Sequence, residues 1–148
     1  MRSALVLLAA ALAAPSAACG DELSCIDVDL TCRPLYPPTF DQVFANTLLP
    51  KCGTSGSTCH AREGHKAGLI LDDRDTAYRL LVEGGRVDPG APSCSVLIER
   101  VYAASSSLRM PPGKTLADAE RCALVQWVAA GAPPAPSSAS LSSPAWPP

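Results

Sequence analysis

Cys59-His60 and, about fifty residues later, Met110-Pro111-Pro112 carry the side chains of this chain best suited to chemistry. Met110 is the only methionine besides the start residue, and His60 is one of two histidines. An imidazole and a thioether sulfur are a known axial ligand pair for haem iron, and thiols next to the histidine can hold the porphyrin edge covalently. Cys59 adjoins the histidine and Cys52 lies seven residues before Cys59, while Pro111 and Pro112 restrict the loop that carries the methionine. The pattern points to one covalently bound haem c, with His60 and Met110 as axial ligands and Cys52 and Cys59 as thioethers.

Other chemistry is open to the same residues. Cys52 and Cys59 could close a surface loop as a disulfide, Met110 could fill a core gap, and His60 could be a surface histidine. Cys52, Cys59, His60 and His65 together could make a tetrahedral zinc site, although adjacent Cys59 and His60 would both have to turn toward one ion. The remaining alternative is a haem-free, disulfide-stabilised lipoprotein acting as a structural or interaction module. An enzyme is not expected. Only His60 and His65 could serve as a general base near neutral pH, and neither has a nucleophile partner in a recognisable motif. Asp72, Asp73 and Asp75 are expected to begin a helix rather than bind a cation.

The N-terminus bears on where such chemistry would happen. Met1-Arg2-Ser3 is followed by Ala, Leu and Val alone from Ala4 to Ala14, which predicts a signal peptide over residues 1–18. Ser16-Ala17-Ala18-Cys19 resembles a lipoprotein processing site, so Cys19 is the expected lipidation residue. Gly20 stands where an inner-membrane retention signal would have aspartate, which points to the periplasm and an outer-membrane anchor. Without residues 1–18 the chain holds 11 basic and 14 acidic side chains, a formal charge of −3. It has no basic cluster, so nucleic acid is not an expected partner. Assigning Cys19 to lipid leaves six of the seven cysteines, an even set suited to an oxidising compartment. If Cys52 and Cys59 hold a cofactor, four remain and three pairings are open; the simplest is Cys25–Cys32 with Cys94–Cys122.

Four helices must position these groups. Residues 19–38 read as a proline-punctuated tether with its own disulfide loop, and 133–148 as a disordered tail of mostly Ala, Pro and Ser. Between them, Thr39–Leu49 predicts a helix opened by a Thr39/Gln42 capping box and stopped by Pro50. Lys51–His65 is the loop of the Cys-His motif, and Gly68-Leu69-Ile70-Leu71 is an apolar segment that could pass over a cofactor face. Asp73–Val82 predicts the second helix, ended by Gly84-Gly85, and Ser93 is expected to cap a third from Cys94 to Ala103. Ser105–Gly113 is the methionine loop. The last helix, Thr115–Ala130, should bury Cys122, Leu124, Val125, Trp127 and Val128 and close at Gly131.

From Phe40 to Ala132 these features resemble the small class I cytochrome c domains of bacteria. The resemblance rests on paired aromatics in the first helix, Cys59-His60, Gly68-Leu69, Met110-Pro111-Pro112, and a closing helix ending in Trp127-Val128-Ala129-Ala130-Gly131-Ala132. It implies an all-α bundle of about four helices around a haem, spanning 39–132, in which Phe40 or Phe44 meets Trp127. It also implies a single-electron carrier whose partners are redox proteins. From charge alone, Arg100, Arg109 or Lys114 could pair with the haem propionates. The departure is the spacing. The family motif is C-x-x-C-H, and here six residues separate Cys52 from Cys59. Two intervening residues set both sulfurs one helical turn apart; six require an outward bulge, which Gly53 and Gly56 would permit.

Overall fold

The computed structural model describes residues 25–54 and 59–135. The expected signal peptide over residues 1–18, Cys19, Gly56 and the tail beyond residue 135 lie outside the described residues. The architecture is all-α, with no strand among the described residues. No described helix is long and apolar enough to cross a membrane.

The first rod joins α1 (Phe40–Val43), a π turn (Phe44–Leu48) and α2 (Leu49–Cys52). Thr39 caps it by accepting the Gln42 amide at 3.5 Å. The Thr39 amide donates to Pro37 at 2.8 Å, so only half of the expected capping box forms. Pro50 does not stop the helix. The backbone ladder slips to the wider π register, with the Leu49 amide donating to Phe44, and Pro50 falls in the first turn of α2. A missing N–H is tolerated there because the first turn of a helix has unsatisfied donors anyway.

The second rod, α3 (Arg74–Val82), begins at Asp73, whose carboxylate accepts the Thr76 amide at 2.9 Å. Helix α4 (Val96–Tyr102) starts two residues later than expected. Ser93 instead sits in a 3-10 turn over Pro92–Cys94. Ser95 occupies the cap position, but its buried hydroxyl accepts the Asp88 amide at 2.9 Å and donates to Ala91 at 3.0 Å. Its side chain is committed to the preceding turn. Helix α5 (Asp118–Ala129) starts at Asp118 rather than Thr115, and Glu120 accepts the Ala117 amide at 2.9 Å. Every residue of its expected inward stripe is buried.

The α1–α5 crossing carries an aromatic cluster in the core. Phe40 meets Trp127 at 5.3 Å between ring centroids, and Tyr78 of α3 approaches Phe40 edge-on at 5.1 Å. The polar ends of these rings are satisfied. The Trp127 ring N–H donates to the Pro133 carbonyl and the Tyr78 hydroxyl to the Ala132 carbonyl, each at 3.1 Å. An aromatic cluster with its polar atoms bonded contributes its full apolar area to the core.

The disulfides correct the expected pairing. Cys25 joins Cys94 and Cys32 joins Cys122, across 69 and 90 residues of sequence. Neither Cys25–Cys32 nor Cys94–Cys122 forms. The N-terminal segment 25–38 does not close a local loop. Apart from a turn at 30–31 and a bend at 35–36 it has no regular secondary structure, and its two cysteines reach different elements. Its backbone is bonded there too: the Ile26 amide donates to Ser93 at 2.8 Å and the Leu35 amide to Ala119 at 2.9 Å. In the chain-entropy account, loops this long restrict the unfolded chain by about 4–5 kcal/mol each, against about 2.5 for a loop of eight residues.

Candidate cofactor site

His60 and Met110 line the same cavity, of about 320 Å³. Each element contributes to the wall. The first rod gives Thr47, Leu48 and Cys52, and the segment after the Cys-His loop gives Leu69 and Leu71. Helix α3 gives Leu81, α4 gives Val96, Leu97, Arg100 and Val101, and α5 gives Leu124. The volume and the largely aliphatic wall with a few polar groups suit a small-molecule or cofactor site.

The histidine loop is pinned by its backbone. The His60 amide donates to the Cys52 carbonyl at 3.3 Å, so the chain returns to its starting point across the six-residue insert. The His60 carbonyl accepts the Leu71 amide at 2.6 Å, and Asp72 accepts the Arg62 amide at 2.7 Å. Gly53 has a role different from the one expected of it. Its φ is −105°, open to any residue, but a Cβ there would lie 2.1 Å from the Leu71 carbonyl oxygen. The position needs the absence of a side chain rather than glycine's conformational freedom.

Met110 comes from a different loop, before the last helix. Its amide donates to the Arg100 carbonyl at 2.9 Å, which ties the methionine loop to the end of α4. The Met110–Pro111 peptide bond is cis.

The titratable groups reflect the apolar surroundings. Burial lowers the His60 pKa, and the Arg86 charge adds to this, while the Leu69 and Lys66 carbonyls oppose it. A neutral imidazole results, the form that can bind a metal. Its Nδ1 is buried without a well-formed hydrogen bond. Burial pushes the Cys52 thiol up to about 11, with Cys59 and Glu120 adding to the rise and Lys51 opposing it. Cys52 is therefore a protonated thiol at neutral pH.

Cys52 and Cys59 are joined neither to each other nor to another described cysteine. Cys59 is half-buried and, unlike Cys52, is not part of the cavity wall. His65 is exposed, with Nδ1 against the Arg62 carbonyl at 3.0 Å. Among the described residues no three of His, Cys, Asp or Glu gather as a metal site, so the zinc set Cys52, Cys59, His60 and His65 does not converge.

Of the three basic residues singled out in the sequence, Arg100 lines the cavity, whereas Arg109 and Lys114 do not. Arg86 and Thr47 are wall residues that the sequence did not single out. Arg86 donates to the carbonyls of Leu80 at 2.9 Å and Ala67 at 2.7 Å, holding the end of α3 against the turn that follows the histidine loop. Nothing in a lone arginine after a double glycine signals this. Thr47 could have been found from its helical spacing to Phe40, Val43 and Phe44, where a polar residue interrupts an apolar face.

The residues present fit a haem. Two suitable axial groups face one apolar cavity, the imidazole is kept neutral with an orphaned nitrogen, and a thiol stands in the wall. No curated protein and no solved structure matches the chain. Residues 57–114 match the family described as Planctomycete cytochrome C. The span takes in Cys59, His60 and Met110 and begins after Cys52, so the atypical half of the cysteine motif lies outside it. Together, the helical fold and this match support a cytochrome c-like domain.

Proposed function

We propose that this chain is an exported, membrane-anchored electron carrier holding one haem c, with His60 and Met110 as its axial ligands. The observation that carries the proposal is that these two side chains, fifty residues apart in sequence, line one apolar cavity. When bound, haem supplies a one-electron couple between ferrous and ferric iron. The chain's own part is to bind, orient and shield it. His60 offers a neutral imidazole from a loop fixed by Leu71 and Cys52, and Met110 offers a soft sulfur from a loop fixed to α4. Thioether ligation favours the ferrous state and so raises the potential relative to two nitrogen ligands.

Cys59 and Cys52 are the groups for covalent attachment, and both are free of disulfides among the described residues. Arg86 and Arg100 line the cavity and make no salt bridge among the described residues, which suits them to the acid groups of the porphyrin. The apolar run Ala4–Ala14 and two disulfides support export, and Cys19 supports a lipid anchor. Redox proteins are the proposed partners, and no enzyme activity is proposed.

The test is the colour of protein purified from a host that attaches haem. A red protein with a reduced α-band, whose colour survives acid–acetone extraction, is expected. A colourless and metal-free protein would overturn the electron carrier in favour of a disulfide-braced scaffold, a second reading supported by the two cross-bundle disulfides. Colourless protein with bound zinc would point to the metal module instead.

A further inference from the structure

We infer that the N-terminal leader, residues 25–36, is a strap that holds the walls of the cavity together, rather than a tether between domain and membrane. Its contacts fall on three of the elements that build the cavity. Cys25 bonds Cys94, in the 3-10 turn two residues before α4, and the Ile26 amide donates to the Ser93 carbonyl at 2.8 Å beside it. Helix α4 gives four wall residues and holds the Met110 amide through Arg100. Cys32 bonds Cys122 on α5, two residues before the wall residue Leu124, and the Gln126 side chain donates to the Cys32 carbonyl at 2.7 Å. Tyr36 hydrogen-bonds through its hydroxyl to Thr47, a buried wall residue of the first rod.

The strap therefore joins α4, α5 and the first rod in one covalent and hydrogen-bonded line. Ile26, Val28 and Tyr36 pack against the same core, so the line is also apolar on its inner side. The histidine loop receives no such tie: none of the strap's disulfides or hydrogen bonds reaches residues 59–71. The consequence is directional. Removing the strap's bonds should loosen the methionine side of the cavity and leave the histidine side in place.

The inference concerns the protein without its cofactor and does not depend on haem being the ligand. The experiment is amide hydrogen exchange, read by NMR, on the full chain produced without haem. In Cys25→Ser/Cys94→Ser the amides of Glu99 and Met110 should exchange about tenfold faster, while those of Ala77 and Leu71 change less than about twofold. Equal acceleration at all four amides would mean that the disulfide merely stabilises the whole domain, and no acceleration at Met110 would detach the strap from the cavity; either overturns the inference. Should the double variant not fold, Tyr36→Phe removes one hydrogen bond and leaves both disulfides. Faster exchange confined to the π turn is expected from it, and unchanged exchange there would overturn the strap's hold on that wall.

Discussion

The α1–α5 crossing and the cavity beside it are built on opposite terms. At the crossing, Phe40, Trp127 and Val128 are at most 2% exposed, and the Trp127 ring nitrogen is hydrogen-bonded. At the cavity, His60 and Met110 are only half-buried, they come from loops, and an imidazole nitrogen lacks a partner. The crossing is complete within the chain, whereas the cavity holds groups whose needs the chain does not meet. Stability and chemistry are thereby kept in separate regions, and substitutions in each should read out differently.

The largest effect is expected from Trp127→Ala, which should lose about 3–5 kcal/mol, the usual range for an aromatic-to-alanine change in a core. Denaturant unfolding measures it, and a loss below about 1 kcal/mol would remove the crossing as the keystone. Gly53→Ala comes next, at about 1–3 kcal/mol, because the added carbon meets backbone rather than a movable side chain. Its melting temperature should fall and haem yield with it; wild-type values for both would show that the loop and Leu71 can separate freely.

The cavity substitutions should reverse the pattern. His60→Ala should change the stability of the haem-free protein by less than about 1 kcal/mol, since the ring makes no strong bond there, yet leave no stable holoprotein. Met110→Ala should likewise spare the fold, lower the reduction potential and let carbon monoxide reach the iron, followed by spectrophotometric titration. An unchanged potential would remove Met110 as a ligand.

The smallest effect lies away from both regions, at Asp73. Hydrogen bonds from Thr76 hold its carboxyl below the ordinary value of 3.8. A depressed folded pKa stabilises above the unfolded value, and that contribution disappears as pH falls through the folded one. Asp73→Asn should keep the cap and flatten the acid side of the stability profile only slightly, because solvent screens a carboxylate this exposed. A profile identical to wild type below pH 4 would show that the exposed cap does not report on folding.

Much of the fold was legible because its signals are local. Apolar spacing placed the inward face of α5, and Asp73 and Gly131 marked helix ends, since caps and positive-φ positions depend on a few neighbouring residues. Pro50 misled for the same reason. A proline breaks a regular ladder, but only the packed rod shows that the ladder has already widened before it. Ser93 was an equally good local cap, and Ser95 displaced it through bonds to Asp88 and Ala91 in the preceding turn.

By itself the sequence determined which groups could do chemistry here: one imidazole beside a cysteine, one thioether before two prolines, and helices with enough apolar residues to surround them. Only the tertiary structure decided that His60 and Met110 share a cavity, that Arg86 and Thr47 belong to its wall, and which cysteines meet. Residue type and short spacing fix what a side chain can do and how the chain near it turns. Partners distant in sequence are chosen by the packing of whole helices, and Cys25 and Cys32 each meet a cysteine far along the chain, Cys94 and Cys122, rather than each other.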